Sequence, residues 1–433
     1  MGQDQPQRRH LLHRQASAPR IPRGRPRRRR VRLRAWRHTV IEPKKLRIDA
    51  WDIRPWLVEI RRTLHRHPEL GRAETRTADF IESKLDEMGV ERVRTGTAIV
   101  GLVRGAKPGR TVALRADMDA LPIKEETGAE YASENDGVMH ACGHDAHTAI
   151  LLGAARWFAE RRASLAGNVK LLFQPAEETD GGAEIMIRDG CMENPRVDYA
   201  LGLHVMPYLP VGRIETKKGA LNGSSTELDF TIRGTSCHAA YPERGVDAVM
   251  IAAHVVTALH SLVSRYVSPL ESAVLTIGTI NGGTVSNVVA GEVKMRSTLR
   301  TTSDETRDML VDRARAVVEG VSASFGGSGS VDVSYGYTAL VNDPAVVDVI
   351  AAAADDILCP GSVDWKEKPS MGVEDFSFFC KARPGAFYHL GCGNAEKGIT
   401  SPIHSSTFDI DEDCLPLGVA MQVAAALRLL EQP

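Results

Sequence analysis

The sequence predicts an α/β protein of two domains, a mixed sheet with a largely parallel core and a smaller α+β unit inserted into it in βαββαβ order. Three observations carry that prediction. Short apolar runs that end in polar residues alternate with helix-like runs in the first half, as in a sheet with crossover helices. The pattern changes at about residue 220 and changes back after 335. Finally, 433 residues exceed the 250 to 300 or so at which single cores stop growing.

The elements follow in order. DIRPWLVEIRRTLHRHPELG (52–71) opens the body as a polar, charged helix, and TADFIESKLDEMG (77–89) has helical spacing with a terminal Gly89. TVALRADMD (111–119), NVKLLFQPAEE (168–178) and DYALGLHV (198–205) read as strands, separated by the helices TAILLGAARWFAERR (148–162) and GAEIMIRDG (182–190). Ligands gather beyond the carboxyl ends of such strands, where Asp117, Asp119, Glu177, Glu178 and His204 fall. In the insertion, STELDFTIRG (225–234), ESAVLTIGTI (271–280), NVVAGEVKMRSTLRT (287–301) and SVDVSYGYTAL (330–340) are strands. VDAVMIAAHVVTALHSLV (246–263) and DETRDMLVDRARAVVEGVSASF (304–325) are helices, which completes the split ferredoxin-like order. The α/β style resumes and closes on the apolar helix LPLGVAMQVAAALRLLEQ (415–432). The expected domains are a basic tail over 1–45, a discontinuous first domain over 46–219 and 336–433, and an inserted domain over 220–335.

Charge is divided between tail and body. Residues 1–40 hold 13 arginines and one acid, leaving 41 basic against 54 acidic residues in the rest. So dense a like-charge block is expected to be disordered, and an amphipathic presequence is disfavoured by its prolines. A nucleic-acid tether resting on this tail alone is not favoured, and no apolar stretch of a secretory signal follows it. The longest apolar run, AVMIAAHVVTAL (248–259), is short for a membrane span, so a soluble protein is expected. Seven cysteines with no CxxC spacing suit free thiols in a reducing, cytoplasmic setting.

HACGHDAH (140–147) is the densest chemical stretch. A lone histidine is ordinarily structural, but Cys142 and His144 in an extended chain point the same way, with Gly143 between them to let the backbone bend around an ion. Thiolate and imidazole are strong transition-metal ligands, yet no second pair follows at the spacing of a closed clamp, so further ligands must come from elsewhere. In FQPAEE, Pro175 ends ladder pairing and leaves Glu177 and Glu178 in a loop, where one could ligate and its neighbour take a proton. His204 and His404 gain weight only from this company. Asp119, in RADMD, suits the carboxylate that fixes a ligating imidazole's tautomer. His140 and His147 read as support, and His65, His67, His254, His260 and His389 as structural. HExxH, GxSxG and GxxxxGK[ST] are absent, and GCGNAEKG lacks the third glycine of a nucleotide loop, which leaves a metal centre as the strongest reading.

Taken in order, RRTLHRHPELG, LRADMDALPI, HACGHDAHTAILLGAA, FQPAEE, GLHV, CHAAYPERGVDA, GGTVSNVVAGEV, MGVEDFSFF and PIHSSTFD resemble the M20 metallopeptidases over about residues 46–430. The branch resembled is that of hippurate, N-acyl-amino-acid and auxin-conjugate amidohydrolases. The resemblance implies a catalytic domain holding two divalent metal ions, with the insertion as lid and dimerisation domain. It implies ligands at Cys142, His144, Glu178, His204 and His404, a general base at Glu177, and metal-site support from Asp119. It also implies that His238 polarises the scissile carbonyl in a neighbouring subunit's site, and that Asn287 and Arg300 hold the substrate carboxylate. The implied reaction is cleavage of an N-acyl amino acid or peptide amide by metal-activated water, in a homodimer or tetramer. Deacetylase, dipeptidase or carboxypeptidase, and a silent scaffold stand as alternatives. A thiolate suits zinc, cobalt or nickel, whereas the resembled branch is often described with manganese. Ser236-Cys237-His238 stands where relatives often have Gly-Gly-His, and Asn287-Val288-Val289-Ala290 where they often have Asn-Val-Ile-Pro.

Overall fold

A computed structural model describes residues 42–432, so the expected tail lies outside the described residues up to residue 41. Its last residues are not tail: Pro43 starts helix α1 (Pro43–Asp52), whose Leu46 and Ala50 are buried. The reading of 1–45 as tail therefore ends too late, because the charges flanking these two apolar positions hide their shared face. The single opening helix expected from 52 begins later, as α2 (Arg54–Arg66), and α3 (Thr75–Glu87) follows.

The main sheet is built from β1 (Glu91–Thr95), β2 (Ala98–Arg104), β3 (Lys107–Asp117), β4 (Ala166–Gln174), β5 (Tyr199–Pro210) and β6 (Ile214–Thr216). Helices α4 (His144–Glu160) and α5 (Ala183–Arg188) connect them, and β7 (Gly219–Asn222) leads out. Next come β8 (Thr226–Arg233), α6 (Ala248–Tyr266), β9 (Ala273–Gly282), β10 (Glu292–Thr301), α7 (Asp304–Ser324) and β11 (Ser328–Tyr335). The chain returns through β12 (Leu340–Asn342), α8 (Pro344–Ile357), β13 (Val363–Trp365), α9 (Ser377–Ala382), β14 (Gly385–Gly393) and α10 (Cys414–Leu430).

The eight-stranded sheet has the order β1-β2-β4-β3-β5-β14-β6-β13, parallel from β4 through β14 and antiparallel toward β1. Its central strands are buried on both faces, as parallel strands between helices are. Helices α4 and α10 cover one face, while α5 and α9 pack the other through Met186, Phe376 and Phe379 against Leu172 and Phe387. Strands from before and after residues 226–335 thus share one sheet.

Those intervening residues form a second, antiparallel sheet in the order β11-β8-β10-β9. Alternate residues of β8 and β10 (Leu228, Phe230, Ile232; Val293, Met295, Leu299) meet one face each of α6 and α7 in a separate core. Asp247 starts α6 by accepting from the Val249 and Met250 amides, and Ser303 starts α7 by accepting from Thr306. The 19-residue α6 exceeds the apolar run read from sequence and is long and apolar enough to cross a membrane. Its Ile251, Val255, Leu259 and Leu262 instead fill this core. Two connections join the sheets: β7 pairs with β12, and Ser225 exchanges backbone hydrogen bonds with Gly336 and Tyr337.

Candidate metal centre

Cys142 and His144 do not lie in an extended strand as expected. His144 is the first residue of α4, and Gly143, at φ 84°, reverses the chain into it. Only glycine fits there, because a Cβ would lie 2.4 Å from Val205 Cγ2. The turn brings Cys142 Sγ to 3.2 Å from His204 Nε2 and 3.2 Å from His404 Nε2. His204 lies inside β5 and not at its end, and its Nδ1 donates to the Val205 carbonyl, which turns Nε2 toward the thiol. His404 has φ 63° and is anchored by its amide to the Ala141 carbonyl, so it meets Cys142 across 262 positions of sequence.

The strand β4 ends at Gln174, and Ala176, at φ 60°, bends the chain so that Glu177 and Glu178 stand over the same spot. Asp119 ties the cluster together: Oδ1 lies 3.1 Å from His144 Nδ1 and Oδ2 accepts from the Glu178 amide at 2.9 Å. Behind it, Asp117 Oδ1 lies 2.5 Å from His147 Nδ1, and His147 Nε2 accepts from the Val205 amide. His147 has both nitrogens engaged, whereas neither nitrogen of buried His140 has a partner among the described residues.

The donors form overlapping groups: Cys142, His144 and His204; Cys142, Glu178 and His404; His144, Glu177 and Glu178. Two atoms test whether they fit a cation. His144 Nε2 and Glu178 Oε1 are buried without a hydrogen-bond partner. Glu178 Oε1 stands 3.1 Å from His404 Nε2 and 3.9 Å from His144 Nε2 without bonding geometry to either. Buried polar atoms are costly when orphaned, so a thiol, three imidazoles and a carboxylate converging here fit a transition-metal site.

Electrostatics divides the carboxylates. Burial alone would raise Asp117, but Arg115 together with His144 and His147 holds it well below the usual range. Burial pushes Glu177 well above that range, and Glu374, Asp375 and Glu178 push it further. Burial likewise raises Glu374, to about 8, and Asp375, against the opposing pull of Arg115. His204 is pushed well down by burial and then by His147, while the Glu178 carboxylate beside His404 raises that imidazole.

Glu374 and Asp375 carried no role in the sequence reading. Asp375 accepts from Gln174 and from the Gly182 and Ala183 amides that start α5, and Arg115 bridges it to Asp117. The signal was present in MGVEDFSFF, where two acids run straight into an apolar segment and so must be buried with it. Tyr337, also overlooked, donates to the Glu177 carbonyl at 2.6 Å.

A cavity of about 700 Å³ opens beside these groups, walled by Cys142, Glu177, Glu178, His204 and His404 on one side and by Thr226, Thr298 and Arg300 of the four-stranded sheet on the other. Arg300 Nη1 is buried there without a hydrogen-bond partner. His238 and Asn287 do not line it: both are exposed, close together where the Ala239 amide donates to the Asn287 carbonyl.

Comparison with known proteins agrees in extent with this architecture. The chain is 36% identical over 394 residues to thermostable carboxypeptidase 1 of Saccharolobus solfataricus, covering 89% of this chain and 98% of that protein. It is 39% identical over 381 residues to the N-acetyl-L-cysteine deacetylase of Bacillus subtilis, covering 87% and 88%. The crystal structure of the Bacillus subtilis YxeP protein, a dinuclear metal-binding peptidase of the M20 family, superposes with a TM-score of 0.77 at 31% identity, over 88% of this chain and all of that one. Residues 113–428 match peptidase family M20/M25/M40, and with identity of this extent on either side of the inserted sheet the chain belongs to that family.

Proposed function

We propose that this M20 hydrolase cleaves the amide bond of N-acyl amino acids, with the eight-stranded part as catalytic domain (from α1 to residue 219, and 336–433) and residues 220–335 as a ferredoxin-like lid. The observation that carries the reading is the convergence of Cys142, Glu178, His204 and His404, with His144 grouped behind them, and Glu177 on a cavity that Arg300 also lines. Two divalent ions fit the donor groups, one at Cys142, His144 and His204, the other at Cys142, Glu178 and His404. The thiol and imidazole donors favour zinc, cobalt or nickel, and manganese remains the assignment that the resemblance suggests. When bound, such ions supply Lewis acidity that lowers the pKa of water and polarises a carbonyl.

The chain's own residues do the rest. Glu177 accepts a proton from the attacking water and returns it to the leaving nitrogen, and its raised proton affinity suits both transfers. Asp119 holds His144 in one tautomer and the Glu178 backbone in place. Arg300 offers a planar donor fork to the substrate carboxylate. His238 and Asn287 act, on this reading, from a second copy of the chain in a homodimer, which their exposure away from the cavity allows.

Relatives named carboxypeptidase and deacetylase keep peptides and acetylated amino acids in the substrate panel. In the metal-loaded protein, Glu177→Gln is expected to lower kcat by roughly 10²–10⁴-fold at unchanged metal content. Turnover within about threefold of wild type on N-acyl amino acids and dipeptides, well short of that general-base contribution, would remove Glu177 from this role.

A further inference from the structure

Three donors converge on one oxygen at the edge of the cavity. Tyr208 Oη donates to Glu215 Oε1 at 2.7 Å, Lys366 Nζ donates to the same oxygen at 2.7 Å, and His389 Nδ1 lies 2.9 Å from it. Tyr208 Oη also lies 3.1 Å from Nδ1, but its hydrogen goes to Glu215, and a carboxylate oxygen only accepts, so the geometry favours hydrogen on Nδ1. The hydrogen bond from His389, with those from Lys366 and Tyr208, holds the Glu215 carboxyl down at about 2, in keeping with this. A neutral imidazole with hydrogen on Nδ1 presents a bare lone pair at Nε2.

That lone pair has nowhere to go within the chain. Nε2 makes no hydrogen bond among the described residues, yet His389 is only 4% exposed and lines the cavity. The Phe387 and Tyr208 rings stand perpendicular to it at 6.3 and 6.4 Å, and Met206 also lines the cavity. Nε2 is not fully buried, so it faces the cavity as a free acceptor within reach of a ligand hydroxyl. The position is one strand away from His204, with which His389 is in register, so it lies beside the metal-type donors and belongs to none of their groups.

We propose that His389 is a specificity-determining residue whose Nε2 accepts a hydrogen bond from a substrate hydroxyl on the arm that packs against Phe387 and Met206. Glu215, backed by Lys366 and Tyr208, is the positioning residue that fixes the tautomer. The inference rests on the amidohydrolase reading above and names a substrate class for it: N-acyl amino acids with a hydroxyl on one arm, in preference to the same compounds without it.

The test uses pairs that differ by one hydroxyl on either arm. N-acetylserine is set against N-acetylalanine and N-acetyltyrosine against N-acetylphenylalanine; N-glycoloyl is set against N-acetyl and N-(4-hydroxybenzoyl) against N-benzoyl amino acids. Metal-loaded wild type is expected to favour the hydroxylated member by about tenfold in kcat/KM for pairs on one arm. In His389→Leu that ratio falls to about one, while His389→Gln, which keeps an acceptor, retains part of it. Wild-type ratios within about twofold on both arms overturn the proposal whatever the variants do, and so does a preference that survives in His389→Leu. Calorimetric binding of the same pairs to Glu177→Gln reads the ratio without turnover. A hydroxyl preference there with no hydrolysis by wild type sinks the proposed activity and leaves the subsite standing; hydrolysis without preference does the reverse.

Discussion

Arg115 is the cation on which the buried acids behind the centre depend, and removing it gives a sharp test of that dependence. Its guanidinium lies 2.6 Å from Asp117, 2.8 Å from Asp375 and 3.1 Å from Glu374, with Nε donating to Gln174 at 2.8 Å, and it is 1% exposed. Arg115→Met fills a similar volume and leaves three buried carboxylates without their cation. Removing one partner of a buried ion pair costs about 3–5 kcal/mol. The three contacts are not to be added together, because carboxylates stripped of a cation take up protons instead of staying charged.

That response fixes the pH dependence. Glu374 and Asp375 have folded pKa values above their unfolded ones, so they bind protons on folding and their effect on stability worsens as pH rises, for Glu374 from about 4.5 to about 8. Loss of Arg115 widens this gap. Asp117 is depressed in the folded protein, so it contributes stability above its unfolded pKa that disappears on acidification; without Arg115 that contribution is already missing at neutral pH. The Asp117 loss is the same at pH 5 and pH 8, so the widened gap of Glu374 and Asp375 makes the deficit of the variant larger at pH 8 than at pH 5. Urea unfolding of wild type and variant at the two pH values measures it. A loss under about 1 kcal/mol at pH 8, far below the cost of breaking a buried pair, or a loss that grows on acidification, refutes the reasoning.

Two further substitutions probe the backbone around the donors. Gly143→Ala combines a left-handed backbone, costing about 1–2 kcal/mol, with overpacking against Val205 at about 1–3 kcal/mol. It is expected to lower both stability and retained metal, and a full metal complement after dialysis with unchanged unfolding would contradict this. Tyr337→Phe removes the 2.6 Å hydrogen bond to the Glu177 carbonyl, a loss of about 0.5–1.5 kcal/mol that reads as a roughly 2–10-fold fall in kcat at constant metal content. A rise in KM with kcat unchanged would instead make Tyr337 a substrate-binding group.

Local physics explains what the sequence made legible. The insertion's strands and helices follow from period-2 and period-3.6 runs with Asp247 and Ser303 where helices begin, signals that need no partner to be read. Where charge masks an apolar face, as with Leu46 and Ala50 of α1, the same reading fails. Ligand types were legible because thiol, imidazole and carboxylate are rare in apolar surroundings without a purpose. Asp119 was legible as well, being close in sequence to the strand end, but the distant supports were not, since Arg115 and Asp375 meet across 260 positions and His389 finds Glu215 across 174. No local pattern announces such pairs; His389 looks structural until Glu215 shows which of its nitrogens is left over.

The placing of the donors is the work of backbone at points where regular structure breaks. Gly143, Ala176 and His404 all have positive φ, two of them without the freedom of glycine. Such conformations cost of order 1–3 kcal/mol each and persist only when neighbours over-determine them. Here the neighbours are identifiable: Glu74 accepts from the Ala176 amide at 2.9 Å, and Ala141 accepts from the His404 amide at 2.8 Å. Glu74 is itself buried and is the cap residue just before α3, while Ala141 precedes Cys142, so each strained residue is held by a segment that is itself fixed. The donor atoms are therefore brought together by the packing of the chain, and a cation arriving at the site meets Cys142, Glu178 and His404 already within reach of one another. That arrangement spends folding energy on pre-organisation, which is what a centre needs if its ligands are to stay in place while a substrate is bound and released.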